Sequence, residues 1–193
     1  GRLHPKKGLA DAIEAFSIWS QTSQYRADPW DFVIAGGGDE AYETELKQQV
    51  ERLGLGEQVR FTGSVHGQDK HDMFATASAF ILPSYSEGLP MAVLEAWSYG
   101  LTTFLTPQCN LTGAFEHKAA LEVTNSPTEI AEALRACHNK DLREQVARKG
   151  FDYVQANYSW QRSADMFQDV FAWLCGAAVK PEFVIEENET LTS

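Results

Sequence analysis

Residues 79–105 have the sequence AFILPSYSEGLPMAVLEAWSYGLTTFL, in which two apolar runs enclose a helical pattern. The first run, Ala79–Leu82, is stopped by a proline, which is typical of a short buried strand. Residues 90–99 have helical spacing, with proline in the first turn and glycine directly after the last turn. Residues 101–105 then return to a strand pattern. This order predicts a β-α-β unit with parallel strands.

The same alternation continues on both sides of this unit. Further strands are predicted at 31–35, 58–62 and 121–123, and further helices at 9–20, 42–53, 68–77, 127–138, 141–156 and 159–175. Strands separated by helices of about 10 to 15 residues indicate a parallel sheet. We therefore expect an α/β fold, a Rossmann-like doubly wound parallel sheet with helices on both faces. Ligands of such sheets bind at the carboxyl ends of the strands.

Composition and charge narrow the function classes. The 193 residues include 16 Lys and Arg against 27 Asp and Glu, which gives a formal net charge of −11. Hydrophobic residues make up 44% of the chain, an ordinary share for a globular domain. An acidic chain is a poor partner for nucleic acid. A few cations grouped at the opening of one binding site can still bind a small anion.

The sequence also predicts the domain organisation of the chain and its location in the cell. We expect one ordered domain over residues 1–175 and a loose tail over 176–193. The chain opens in a loop of the kind that follows a strand, so we expect a first strand, and a longer parent protein, to precede it. No apolar stretch reaches the roughly 20 residues that cross a bilayer, and the first residues lead into no apolar run of the kind a signal peptide has, so we expect none. A cytoplasmic protein is expected, with reduced thiols at Cys109, Cys137 and Cys175.

The turn before the helix at 90–99 is a candidate anion site. A helix N-terminus offers unsatisfied amide hydrogens and the positive end of the helix dipole. Because Pro90 has no N–H, the candidate donors are the amides of Gly88, Leu89, Met91 and Ala92.

Two carboxylates accompany this helix. Glu87 precedes it and could interact with the helix dipole alone. Glu95 lies between Leu94 and Ala96 in an otherwise apolar helix, where a carboxylate without donors is costly. Either the vicinal hydroxyls of a ligand or a protein side chain could supply those donors.

The first loop carries three cations, Arg2, Lys6 and Lys7. Arginine can bind phosphate through two parallel hydrogen bonds, and lysine adds a compact charge. A phosphate site is one interpretation of this cluster, and solvated surface charge is the other.

Residues 36–41, GGGDEA, formally fit the dinucleotide pattern G-x-G-x-x-A. However, Asp39 and Glu40 would repel a pyrophosphate at the helix start, and a tight turn with a helix cap explains the same residues. The five histidines and three cysteines have no metal-ligand spacing, so we expect no metal.

Taken together, the motifs resemble glycosyltransferase family 4 over residues 1 to about 175. The matching residues are Gly1-Arg2-Leu3-x-Pro5-x-Lys7-Gly8, Phe32-Val33-Ile34-Ala35-Gly36-x-Gly38, Val59-x-Phe61-x-Gly63, and Leu82-Pro83-Ser84-x-x-Glu87-Gly88-Leu89-Pro90 with Leu94-Glu95-Ala96. The pair Glu87 and Glu95 matches the family's E-x7-E motif. The resemblance implies the C-terminal, nucleotide-sugar-binding half of a two-domain GT-B fold.

The resemblance also implies roles for individual residues. Glu87 would contact the donor sugar at the reacting face and is the expected catalytic residue. The expected donor-binding residues are Arg2 and Lys7 for the diphosphate, Glu95 for the ribose, Val65 for the edge of the base, and the amides of Gly88, Leu89, Met91 and Ala92 for sugar and phosphate. The chain departs from the family pattern at Thr112-Gly113, where Pro-Glu is common.

The implied activity is that of a retaining glycosyltransferase in polysaccharide biosynthesis. It would move a hexose from a nucleoside diphosphate sugar to a glycan or lipid-linked acceptor without a metal, since cations and the helix dipole neutralise charge. An N-terminal acceptor-binding domain of the same parent chain would complete the site and could touch the inner face of the membrane. The fragment alone is expected to be inactive.

Other functions remain open. They are a GT-B nucleotide-sugar epimerase, a non-catalytic nucleotide-sugar-binding or structural domain, and an NAD-linked Rossmann domain. The base, the sugar, the acceptor and the linkage are not specified by these motifs.

Overall fold

The computed structural model describes residues 1–184 and divides the chain into two compact units, 1–154 and the part from 155 onward. A loose tail is predicted over residues 176–193, and the part of it from residue 185 onward lies outside the described residues. Within residues 1–184, no helix has the length and apolarity needed to cross a membrane.

The first unit contains five short parallel strands. They are β1 (Phe32–Ala35), β2 (Val59–Gly63), β3 (Ala79–Leu82), β4 (Thr102–Leu105) and β5 (Leu121–Glu122). All five were predicted, and each boundary lies within one residue of its predicted position. β1 pairs with β2, while β3, β4 and β5 form a second parallel sheet in that order. Among the described residues, β1 and β3 are not paired with each other.

Helices connect the strands as the sequence predicts. They are α1 (Leu9–Ser20), α2 (Ser23–Ala27), α3 (Glu40–Arg52), α4 (Gly67–Thr76), α5 (Met91–Ser98), α6 (Thr112–Glu116), α7 (Pro127–Cys137), α8 (Lys140–Asn157) and, in the second unit, α9 (Trp160–Leu174). Short 3₁₀ turns lie at Pro5–Lys7 and Pro107–Cys109. Only α2 and α6 were not predicted, because five residues are too few to display a helical period.

Strand β4 shows that helices cover both faces of its sheet. Phe104 is fully buried in a core that contains residues of α1 and α7. The neighbouring residue, Thr103, accepts a hydrogen bond of 2.8 Å from the indole N–H of Trp97 in α5. Successive strand residues point to opposite faces, so α1 and α7 lie on one side and α5 on the other. The predicted α/β class, with helices on both faces of parallel sheets, is confirmed.

Residues 1–6 connect the end of β1 to the end of β3. The Leu3 amide donates to the Gly37 carbonyl at 2.9 Å, and Leu3 forms an isolated parallel bridge with Gly38. The Tyr85 amide, which follows β3, donates to the Lys6 carbonyl at 2.7 Å. The basic first loop is therefore fixed between two strand ends.

The glycine run 36–38 allows residues 1–3 to lie directly against the end of β1. A Cβ on Gly36 would overlap the backbone of Gly1, and a Cβ on Gly38 would overlap the carbonyl of Leu3. Asp39 accepts hydrogen bonds at its carboxylate from the amides of Ala41 and Tyr42, both at 3.0 Å, and caps α3. The interpretation as a tight turn with a helix cap is confirmed, and the glycines serve chain packing.

Candidate functional site

The candidate residues lie in loops that follow the carboxyl ends of the parallel strands, except Met91, Ala92 and Glu95, which lie in α5. These loops are residues 1–8 beside the end of β1, 64–66 after β2, 83–90 after β3 and 106–111 after β4. Ligands of parallel α/β sheets bind at this edge.

Glu87 is held by two donors at one carboxylate oxygen. Its Oε1 accepts from the Lys7 ammonium at 2.6 Å and from the Ser84 hydroxyl at 2.7 Å. The Glu87 side chain is only 8% exposed. Burial raises the pKa of Glu87, but the hydrogen bonds from Lys7 and Ser84 outweigh burial and lower its pKa below the ordinary value. Glu87 is therefore a carboxylate at neutral pH, and no described residue donates a hydrogen bond to its Oε2.

The loop after β4 fixes the main chain of Glu87. The Glu87 amide donates to the Gln108 carbonyl at 3.0 Å, and the Asn110 side-chain amide donates to the Glu87 carbonyl at 2.5 Å. Asn110 adopts a left-handed conformation, φ 55°, which asparagine tolerates better than most residues. The buried Thr106 hydroxyl also donates to the Ser84 carbonyl at 2.5 Å. The 84–87 turn is thus held on its main chain as well as its side chains.

Gly8 brings Lys7 within reach of Glu87. It has φ +67°, and a Cβ at this position would overlap the carbonyl oxygen of Pro83. The turn before α1 therefore contacts the end of β3 directly. A side chain at position 8 would force the backbone of the first loop or of Pro83 to shift.

Glu95 has a protein donor. Its Oε1 accepts from the Lys70 ammonium of α4 at 2.5 Å, and its side chain is 38% exposed. Glu87 lies in the turn directly before α5 and Glu95 lies within α5, so one helix and the turn before it carry both carboxylates.

The other predicted donor-binding residues lie in the first loop, in the 64–66 loop and around the start of α5. Among the described residues, no acceptor takes the amide hydrogens of Gly88 and Leu89 or those of Met91 and Ala92 in the first turn of α5. Arg2 is exposed and has no ion pair with a described residue. Val65 is half-buried in the loop between β2 and α4.

The structure thus brings Lys7 and Glu87 into contact, and it adds three residues that the sequence did not indicate. Ser84 lies inside the quoted motif, three positions before Glu87, so its role could have been inferred from spacing. Lys70 and Asn110 are separated from their partners by 25 and 23 residues, and no local pattern signals either contact.

The three cysteines are not among the candidate site residues. All three thiols are free; Cys109 and Cys137 are buried and Cys175 is exposed. Burial raises the pKa of Cys109, although hydrogen bonds around Thr106 oppose this effect. Burial also raises the pKa of Cys137 to about 12, although Arg143 opposes it. Both buried thiols are protonated at neutral pH and are poor nucleophiles.

The site combines cations, free amides and two carboxylates, a donor set suited to a ligand with phosphates and hydroxyls. Within residues 1–184, no cluster of three or more His, Cys, Asp or Glu is placed to hold a metal. The fold is that of an α/β protein, and its candidate polar ligand site lies at the strand ends. The sequence profile of the glycosyl transferases group 1 family matches residues 1–152, and the chain belongs to that family.

Individual proteins are similar to this chain in sequence or in structure. Mannosylfructose-phosphate synthase of Agrobacterium fabrum is 26% identical over 198 aligned residues, which cover 98% of this chain and 42% of that protein. The C-terminal domain of a group 1 glycosyl transferase, LpcC of Francisella tularensis, is similar in structure, with a TM-score of 0.72. Its identity is 23%, and the match covers 83% of this chain and 84% of that domain.

HepE of Anabaena, solved with UDP and glucose, has a TM-score of 0.73 and 20% identity over 87% of this chain and 46% of its own. The chain thus spans less than half the length of these two longer proteins.

Proposed function

We propose that this chain is the donor-binding domain of a retaining glycosyltransferase of family 4. The parent enzyme transfers a hexose from a nucleoside diphosphate sugar to a glycan or lipid-linked acceptor in polysaccharide biosynthesis. The observation that carries the proposal is the ionised Glu87, whose Oε1 is held by Lys7 and Ser84 just before the free amides of α5. Family membership supports the transferase class, and HepE with UDP and glucose supports a nucleotide-sugar ligand.

In this proposal each side of the site binds one part of the donor. Arg2 and Lys7 bind the diphosphate, together with the first-turn amides of α5 and the positive end of its dipole. These groups neutralise the charge that develops on the leaving diphosphate, so no metal is proposed. Val65 lies at the edge of the base.

The two carboxylates bind the sugars. Glu95 accepts hydrogen bonds from the ribose, and Glu87 contacts the transferred sugar. The ion pair with Glu87 positions Lys7, and part of that contact is exchanged for a phosphate oxygen when the donor binds.

The acceptor is proposed to bind elsewhere in a longer protein. The chain covers 42% of the length of mannosylfructose-phosphate synthase. We propose an N-terminal acceptor-binding domain in the same chain, a cytoplasmic location, and any membrane contact through that other domain. Without it, these 193 residues should bind donor weakly and transfer no sugar.

Donor binding can be tested by calorimetric titration of the full-length protein with UDP, GDP and ADP. We expect saturable binding of one diphosphate, and roughly tenfold weaker binding for both Arg2→Ala and Glu95→Ala, because each loses a hydrogen bond to or from a charged group. Glu43→Ala is the matched control, since Glu43 is paired with Lys47 at 2.7 Å within α3. Failure of all three diphosphates to bind at millimolar concentration would refute the proposal.

Catalysis is tested separately with Glu87→Gln. In the full-length protein we expect at least a roughly hundredfold loss of sugar transfer at saturating donor, typical of the loss of one preorganised electrostatic contact, and a much smaller loss of donor affinity from the weakened contact with Lys7. Unchanged transfer would indicate that Glu87 only maintains the loop.

A further inference from the structure

One ion pair at the site has no counterpart in the predicted donor-binding residues. Lys70 lies in the first half of α4, and its ammonium is 2.5 Å from Oε1 of Glu95 in α5. Lys7–Glu87 likewise joins two separate elements. The pairs Lys47–Glu43 and Lys140–Glu144 each lie within a single helix. Among the described residues, the two lysine pairs that join separate elements therefore involve the two glutamates of the predicted motif.

The packing of α4 on α5 directs Lys70 toward Glu95. One turn beyond Glu95, the Tyr99 ring stacks on Phe74 at 5.2 Å and meets His71 edge-on at 5.3 Å. Phe74 is likewise one turn beyond Lys70, so the two helices are matched turn by turn. These ring contacts fix the register of α4, and the ion pair follows from that register.

The backbone of Glu95 is held by buried neighbours, whereas its side chain is partly exposed. Its neighbours Leu94, Ala96 and Trp97 are buried, so α5 cannot shift easily. The carboxylate itself is 38% exposed and would sample several rotamers without a partner. Lys70 removes this freedom before a ligand arrives, which lowers the entropic cost of binding.

The pair leaves acceptor capacity for a ligand. A carboxylate has about four lone-pair sites, and Lys70 uses one of them at Oε1. No described residue donates to Oε2 of Glu95. The carboxylate can therefore accept hydrogen bonds from two adjacent hydroxyls while Lys70 remains in place.

We propose that Lys70 is a positioning and specificity-determining residue. It orients the Glu95 carboxylate for the vicinal hydroxyls of a ribose, so the site selects ribonucleoside diphosphates over their 2′-deoxy analogues. This inference rests on the proposed function, which assigns the ribose to Glu95, and adds the role of Lys70 in placing that carboxylate. A half-exposed ion pair contributes little to stability, so variants of Lys70 should fold and their ligand selection can be measured directly.

The test uses the full-length protein and six probes: UDP, GDP, ADP and their 2′-deoxy counterparts. For the diphosphate that binds, we expect the wild type to prefer the ribo form. Lys70→Met should weaken the ribo form roughly two- to fivefold, the most that a half-exposed ion pair can contribute by placing the carboxylate, and change the deoxy form little. Lys70→Arg should restore the preference, and Lys47→Met is the matched control, with wild-type selection expected.

Three results would overturn the inference. Equal weakening of ribo and deoxy forms in Lys70→Met would mean that Lys70 supplies only general charge, and unchanged affinities would mean no role. If Lys70→Met is unstable, Lys70→Gln serves as the second uncharged variant under the same criteria. Failure of the wild type to bind any of the three ribonucleoside diphosphates would instead refute the proposed function, and this inference with it.

Discussion

Glu87 is the residue at which three loops of the candidate site meet. The loop before α1 supplies Lys7, the turn after β3 supplies Ser84, and the loop after β4 binds the Glu87 main chain. A nearly buried carboxylate is stable only when donors compensate its lost hydration. The geometry of this site should therefore depend on the ionisation of Glu87.

This dependence leads to a pH prediction. Since the folded pKa of Glu87 lies below its ordinary value of 4.5, ionised Glu87 adds stability that is complete above this value and is lost as pH falls through the folded pKa. Glu87→Gln should lower the free energy of unfolding at pH 7 by about 1 to 3 kcal/mol. Between about pH 5 and 3 the difference in unfolding free energy between Glu87→Gln and the wild type should become smaller.

Urea denaturation at a series of pH values measures this gap. Glu43→Gln is the control, because an exposed pair within one helix contributes only about 0.3 to 0.5 kcal/mol. A gap for Glu87→Gln that stays constant on acidification would show that the ion pair with Lys7 does not stabilise the fold.

Gly8 leads to a second prediction at the scale of the residue. Gly8→Ala should cost about 1 to 2 kcal/mol for the left-handed conformation and a further 1 to 3 kcal/mol, approximately, for overlap with Pro83. Gly54→Ala is the matched control, because Gly54 has φ +69° but open space beside it. Urea denaturation should rank Gly8→Ala as the more destabilising change. Equal losses of unfolding free energy in the two variants would mean that Pro83 moves away from the added methyl group without cost.

At the scale of the element, the strands and long helices were predictable and the contacts between them were not. The apolar run 79–82 and its terminating proline predict β3, and the helical spacing of 9–20 predicts α1. Helix α6 has five residues and was missed because it spans barely more than one turn. The Lys70–Glu95 pair depends on how α4 packs on α5, and hydrophobic periodicity carries no information about that register.

The helix α8 offers a test of packing against intrinsic helix propensity. Alanine in place of a mid-helix glycine ordinarily stabilises by about 0.5 to 1 kcal/mol. A Cβ on Gly150, however, would overlap the ring of Trp97, which is fully buried and hydrogen-bonded to Thr103. Overpacking costs about 1 to 3 kcal/mol, so Gly150→Ala should be net destabilising.

Thermal unfolding followed by circular dichroism measures the sign of this change. Gly56→Ala is the control, since Gly56 has open space and no left-handed strain, and its effect should stay within about 0.5 kcal/mol. A rise in the melting temperature of Gly150→Ala would show that the Trp97 ring moves aside at little cost.

At the scale of the whole molecule, the core and the family match lie in the same part of the chain. The buried apolar residues range from Leu3 to Val154, and α9 contributes none. The group 1 glycosyl transferase match ends at residue 152, and the first compact unit ends at residue 154. The first unit thus contains its own core and all the candidate site residues.

A chain truncated after Asn157, the last residue of α8, should therefore fold cooperatively. We expect its melting temperature to lie within about 4 °C of that of residues 1–193, the shift that about 1 kcal/mol causes in a protein of this size. Truncation after Cys137 is the matched control. It removes α8, whose buried residues Val146, Gly150 and Val154 belong to the first unit, and should abolish the cooperative transition. If truncation after Asn157 also abolished that transition, the first unit would not be an independent folding unit.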